Sequence, residues 1–79
     1  MTNEEKYVQA FVNAFGIDET TVCTLQFQGI EEWDSVGHMG LIAEFEDAFD
    51  IMMETEDIID LSSYEKGKEI LSSKYGVVF

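Results

Sequence analysis

Cationic side chains are scarce in this chain: four lysines and no arginine stand against 17 Asp and Glu among 79 residues, a formal net charge of −13. A chain so negative is repelled by nucleic-acid phosphates and by anionic lipid, so basic protein surfaces are its expected partners. Cysteine is nearly absent too. The lone Cys23 allows no intramolecular disulfide, so the core must hold by packing alone, and the expected compartment is the reducing cytoplasm. A long apolar run is also missing. Met1 to Ala10 carries Glu4, Glu5 and Lys6 without a basic flank, which fits neither a secretory signal nor a membrane span.

What remains is a foldable composition: 46% apolar and 13% aromatic residues are too many for a disordered acidic tail. The length suits one domain, residues 1–79, burying about 60% of its unfolded surface. That argues against a deep catalytic cleft, and the expectation is a monomer that is not itself an enzyme. The charge is also segregated. Lys6, Lys66, Lys68 and Lys74 lie near the ends, and no cation falls between Tyr7 and Glu65. Segregated acidity points to an interaction surface rather than to solubility alone.

Thr2 and Glu5 have capping-box spacing, and Tyr7, Val8, Phe11, Val12 and Phe15 recur at helical period until Gly16, which predicts a first helix over 3–15. From Ile17 to Trp33 a long loop follows, pinned by Val22, Leu25, Phe27 and Ile30, with one helical turn near Glu19. The alternation over Val22 to Phe27 hints at a strand, but a lone strand has no partner here. Asp34 opens the clearest helix, through Phe49. At about 100° per residue one face gathers His38, Leu41, Ile42, Phe45 and Phe49, and the other Val36, Met39, Gly40, Ala43, Glu46 and Asp47. A short segment over Thr55–Leu61 comes next, and Ser62 with Glu65 predicts a capped last helix from about Ser63 to Tyr75, stopped by Gly76. The expected fold is all-α: a small four-helix bundle, three longer helices and a short third one, with a long loop between the first two.

Ser35 begins the second helix beside Asp34. Ordinary N-capping asks for the same residues. A phosphate on the hydroxyl would, however, meet free backbone N–H groups and the positive end of the helix dipole, and the neighbouring carboxylate suits a divalent cation held against an incoming pyrophosphate. Ser35 is therefore a candidate site of covalent attachment.

Asp34-Ser35-Val36 followed by Leu41, Phe45, Glu46 and Phe49 resembles the Asp-Ser-Leu motif and second helix of acyl carrier proteins, and the likeness in helix order, length and acidity spans nearly the whole chain. The resemblance implies that Ser35 receives 4′-phosphopantetheine from coenzyme A through a separate Mg²⁺-dependent phosphopantetheinyl transferase, with Asp34 assisting the magnesium. The thiol of that arm would carry acyl or aminoacyl groups as thioesters. The helix after the serine would dock on basic patches of loading and downstream enzymes of fatty acid, polyketide, nonribosomal peptide or polysaccharide pathways. Val36, Met39 and Ala43 would supply apolar contact there, and Glu44, Glu46 and Asp47 the charge. Leu41, Phe45, Met53 and Ile59 form the expected acyl pocket, beyond their role as core. Val36 in place of leucine, Trp33 before Asp34, Gly37 and Gly40 in place of acids, and Glu54 where proline is frequent depart from the pattern and imply a specialised carrier.

Other groups carry less. His38 lies three residues from Ser35 but on the core face, with no third residue to orient it as a base, and reads as structural. Cys23 reads as packed in the loop; with His38 it makes too few ligands for zinc, so no metal site is expected. Ser72 and Ser73 read as solvated helix positions. From another class, an unmodified acidic adaptor would bind a basic partner through the same helix. A calcium sensor would use the acids from Asp47 to Asp60, though these lack EF-hand spacing.

Overall fold

In a computed structural model describing residues 1–79, the chain enters helix α1 (Asn3–Phe15) through a complete capping box. Thr2 Oγ1 accepts from Glu5 N–H at 3.1 Å, and Glu5 Oε1 accepts from Thr2 N–H at 2.9 Å, so two otherwise orphan donors are satisfied. Gly16 ends the helix at φ 66°, a conformation without steric cost only for glycine. A 3₁₀ turn over Glu19–Thr24 interrupts the long loop. α2 (Ser35–Phe49), α3 (Thr55–Asp60) and α4 (Tyr64–Lys74) complete an all-α architecture without strands. The expected bundle is what the chain forms.

Two local readings change. The cap of α4 is Ser63, whose Oγ accepts from Lys66 N–H at 3.0 Å, not Ser62. The reason is a contact the sequence does not announce. Phe27 N–H donates to Ser62 C=O at 2.7 Å and Tyr64 N–H to Leu25 C=O at 3.0 Å, forming a one-residue antiparallel bridge of Gln26 with Ser63. The alternating segment in the first loop thus has a partner, the extended link into α4. Pairing holds Ser62 in that link and moves the cap one residue on.

The core is aromatic. Tyr7, Phe11, Phe45 and Trp33 are fully buried; Tyr7 stacks on Phe45 at 5.1 Å, and Phe11 sets its edge against Trp33 at 5.5 Å. Such pairs add about 0.5–1.5 kcal/mol each beyond area burial. α1 packs most extensively on α2, whereas the backbone of α3 touches other elements sparsely. Phe49, expected in the core, is only half-buried; its ring packs against Phe79 of the C-terminal tail. That tail docks, with Val77 buried and Asn3 Nδ2 donating to Val78 C=O at 3.0 Å.

Candidate functional site

Asp34 is the N-cap of α2, accepting from Gly37 N–H through Oδ1 at 2.8 Å and from His38 N–H through its carbonyl at 2.8 Å. The first bond satisfies one of the four orphan donors of the helix start, and the second is the first i to i−4 bond of the helix itself. The N–H groups of Ser35 and Val36 stay available at the positive end of the helix dipole. Ser35, the first helical residue, is exposed, and so is Asp34. A group bonded to the Ser35 hydroxyl therefore meets solvent on one side. On the other side it meets a cleft.

That cleft, about 420 Å³, opens between α2 and α3 with Ser35 on its rim. Met39 of α2 faces Ile58 and Ile59 of α3 across it, Phe27 and Leu61 close its sides, and Ser62 adds a second hydroxyl. His38 forms its inner wall. The ring is held at both nitrogens: Trp33 Nε1–H donates to Nδ1 at 2.9 Å, and Nε2 lies 2.6 Å from Ile58 C=O. Because Nδ1 accepts, the hydrogen of the neutral ring sits on Nε2 and is donated to Ile58. His38 is thus structural, as its helix register indicated. It ties the loop, α2 and α3 together directly behind the cleft.

The residues of the expected acyl pocket fall in two places. Leu41, Phe45 and Met53 are buried in the closed core and do not line the cleft beside Ser35; only Ile59 does, and it is 73% exposed. Aromatic rings pack the interior between α1 and α2, and the apolar cleft beside Ser35 lies between α2 and α3.

The outer face of α2 separates into free and committed groups. Val36 (82%) and Met39 (54%) are exposed apolar side chains, and Gly40, Ala43 and Asp47 are exposed beside them. Glu46 is not a free acid: half-buried, it accepts from Met53 N–H through Oε2 at 3.0 Å and organises the link after α2. Glu44, also half-buried, accepts from Asn13 Nδ2 at 3.3 Å and so faces α1. Of the three expected docking acids, Asp47 alone stands clear. Three of the four lysines are committed elsewhere, and Lys6, beside Glu44 and Asp47 at the α1–α2 surface, makes no ion pair. Lys68 pairs with Glu4 at 2.8 Å, Lys74 with Asp57 at 2.7 Å and Lys66 with Glu69 at 4.0 Å, so no ion pair neutralises α2.

Asp57, also on α3, is not among the residues that line the cleft. Its buried carboxylate accepts from Lys74 Nζ and, at 2.6 Å, from the Tyr75 hydroxyl, which itself accepts from Glu54 N–H at 2.8 Å. The Lys74 hydrogen bond, seconded by Tyr75, holds the Asp57 carboxyl below its ordinary range. The carboxylate in turn raises Lys74, and burial followed by the hydrogen bond to Asp57 raises Tyr75. This clamp joins the short α3 to the end of α4. Cys23, expected to pack, is exposed. Ser72 and Ser73 donate to Glu69 C=O at 3.1 and 2.8 Å as solvated helix serines do. No three His, Cys, Asp or Glu side chains converge in a set able to hold a metal ion, and no helix is long and apolar enough to cross a membrane.

The sequence did not single out Trp33 as a core residue or Gly37 as a packing necessity. A Cβ on Gly37 would collide with the Glu32 carbonyl oxygen and meet Phe15 at 3.3 Å, so glycine here lets the loop close over the start of α2. No protein-family model, no curated protein and no solved structure matches this chain.

Proposed function

We propose that the chain is a carrier of acyl or aminoacyl groups, bearing 4′-phosphopantetheine on Ser35 and presenting its cargo to separate enzymes with basic surfaces. The observation that carries the reading is Ser35 itself: an exposed hydroxyl on the first residue of α2, capped by Asp34, on the rim of an apolar cleft. The resemblance of the Asp34-Ser35-Val36 segment to acyl carrier proteins supports the same assignment. The phosphate would be held by the free N–H groups of Ser35 and Val36. The Asp34 Oδ2 atom, outside the capping bond, would assist a magnesium ion during transfer.

Attachment forms one bond and breaks one. Ser35 Oγ bonds to the pantetheine-bearing phosphorus of coenzyme A, the phosphoanhydride bond to the adenosine portion breaks, and adenosine bisphosphate leaves. The serine proton passes to a base of the transferase. The arm supplies the thiol on which cargo is carried as a thioester; the chain supplies attachment, solubility and the docking face of Val36, Met39, Ala43 and Asp47. No catalytic residue is assigned to it, and the cytoplasm remains the proposed compartment.

The test is intact mass after incubation with coenzyme A, Mg²⁺ and a broad-specificity phosphopantetheinyl transferase. A gain of one phosphopantetheine that is absent from Ser35→Ala is expected. No gain, or a gain that persists in Ser35→Ala, overturns the proposal. Exposed Val36 and Met39 also suit an unmodified acidic adaptor, and that reading takes over if no mass is gained.

A further inference from the structure

We infer that Met39 is a reversible oxidation site, and that its sulfoxide weakens docking on the outer face of α2. This rests on the docking face proposed above, which it deepens by naming a chemical control of it. The chain has four methionines, and the fold sorts them. Met53 is buried, whereas Met1, Met39 (54%) and Met52 (85%) are exposed. Of the three accessible sulfurs, only that of Met39 belongs to α2; Met1 precedes α1, and Met52 lies in the link before α3. Its place on the helix gives this sulfur weight. Val36, one turn earlier, is the only other large apolar side chain exposed along α2, and Gly40 and Ala43 are small. The thioether therefore supplies much of the apolar contact that a partner meets there. Nearly half of Met39 is covered, where it shares a wall with Ile58 and Ile59, so the side chain is held at that face. Met52 stands almost wholly in water.

The oxidant is hydrogen peroxide, and the step needs no base from the protein. The Met39 sulfur attacks one peroxide oxygen: the S–O bond forms, the O–O bond breaks, and the departing hydroxide takes the proton of the transferred oxygen to leave as water. Sulfur is oxidised by two electrons and the peroxide reduced by two. The product puts a polar, chiral sulfoxide where a flexible apolar group stood. Pressed against an apolar partner surface, its oxygen sheds water without gaining a donor. Asp47 keeps its charge, so electrostatic approach is unchanged and the complex falls apart sooner. Reversal uses two sulfoxide reductases, one for each epimer, and a dithiol; the oxygen leaves as water and the dithiol becomes a disulfide.

The test uses the full chain in a Cys23→Ser background, because Cys23 is exposed and peroxide would oxidise it as well. Peptide mapping by mass after graded hydrogen peroxide should find one added oxygen on Met39 and on Met52 and none on Met53. Docking is read with a fluorescent helical peptide of leucine and lysine, the basic apolar probe. Peroxide should raise its Kd by about five- to thirtyfold through faster dissociation, with the helical spectrum of the chain unchanged. The two reductases with dithiothreitol should restore binding. Met39→Leu, which keeps an apolar group of similar size, should bind the probe and be insensitive to peroxide, whereas Met52→Leu should lose affinity as the parent does. The inference is overturned if Met39 escapes oxidation while Met52 is oxidised, if peroxide leaves Kd unchanged, or if the reductases do not restore it. It is equally overturned if Met39→Leu loses affinity on oxidation, if the loss comes with a loss of helix, or if the probe does not bind the unoxidised chain. The probe needs no phosphopantetheine arm, and loading of the parent chain is scored separately by mass, so failure of the carrier reading and failure of the oxidation site are told apart.

Discussion

Trp33 donates its indole N–H to Nδ1 of His38 at 2.9 Å, and both side chains are buried. The bond joins the end of the first loop to α2 and, through Nε2, to α3. Trp33→Phe removes the donor and leaves a void, so it should lower stability by about 2–4 kcal/mol, measured by urea unfolding. Nitrogen NMR of the neutral His38 ring should find the hydrogen on Nε2. A hydrogen on Nδ1 would contradict the bonding described.

Identical substitutions at two glycines of α2 should have opposite signs. A Cβ added at Gly40 would meet nothing within 4 Å, whereas at Gly37 it would collide with the Glu32 carbonyl. Gly40→Ala should therefore stabilise by about 0.5–1 kcal/mol through helix propensity. Gly37→Ala should destabilise by about 1–3 kcal/mol, because backbone must move. Denaturant midpoints of the two variants decide it, and the same sign for both would refute the account.

Tyr7 and Gly67 are coupled across the bundle. The Tyr7 hydroxyl, buried and raised well above its ordinary pKa by that burial, donates to Tyr64 C=O at 2.6 Å, and a Cβ on Gly67 would strike that same hydroxyl oxygen. Tyr7→Phe should cost about 1 kcal/mol and Gly67→Ala about 1–3 kcal/mol. The double variant should be more stable than the sum predicts by at least about 0.5 kcal/mol, since removing the oxygen makes room. Strict additivity would show that the clash is absorbed elsewhere.

Stability should vary with pH through the Asp57 clamp. A carboxyl held below its ordinary value of 3.8 stabilises the fold fully above that value and loses the effect as pH falls through the lower folded value. Lys74, raised above 10.5, contributes below that value and is lost only as pH rises through its higher folded value. The difference between the parent chain and Asp57→Asn should thus form a plateau at neutral pH that shrinks on the acid side below about pH 4. Thermal midpoints across a pH series measure it; a difference that grows on acidification would reverse the assignment.

Charge changes on α2 should divide by whether the acid is free. Asp47→Lys should leave the helical spectrum unchanged, slow loading by the transferase by about two- to tenfold, and flatten its salt dependence. Glu46→Gln weakens the acceptor for Met53 N–H, so its main effect should be a lower thermal midpoint. If Glu46→Gln alters only the salt dependence, Glu46 is a docking acid after all.

What the chain determined by itself is local. Thr2 with Glu5, Gly16, and the helical spacing of His38, Leu41, Ile42 and Phe45 are signals carried by neighbours in sequence, and they placed α1 and α2 and put Ser35 at a helix start. Hydrogen-bonding partners far apart along the chain carry no such signal. Only the tertiary structure decided that Ser63 rather than Ser62 caps α4, because Leu25 and Phe27 pair with that link. It also turned Glu46 into a loop tether, left Asp47 free, and set an apolar cleft lined by Met39, Ile58 and Ile59 beside Ser35. The physical reason is packing at close range: rings such as Trp33 and Tyr7 take whatever interior volume exists, and the cleft lies where α2 and α3 remain unfilled.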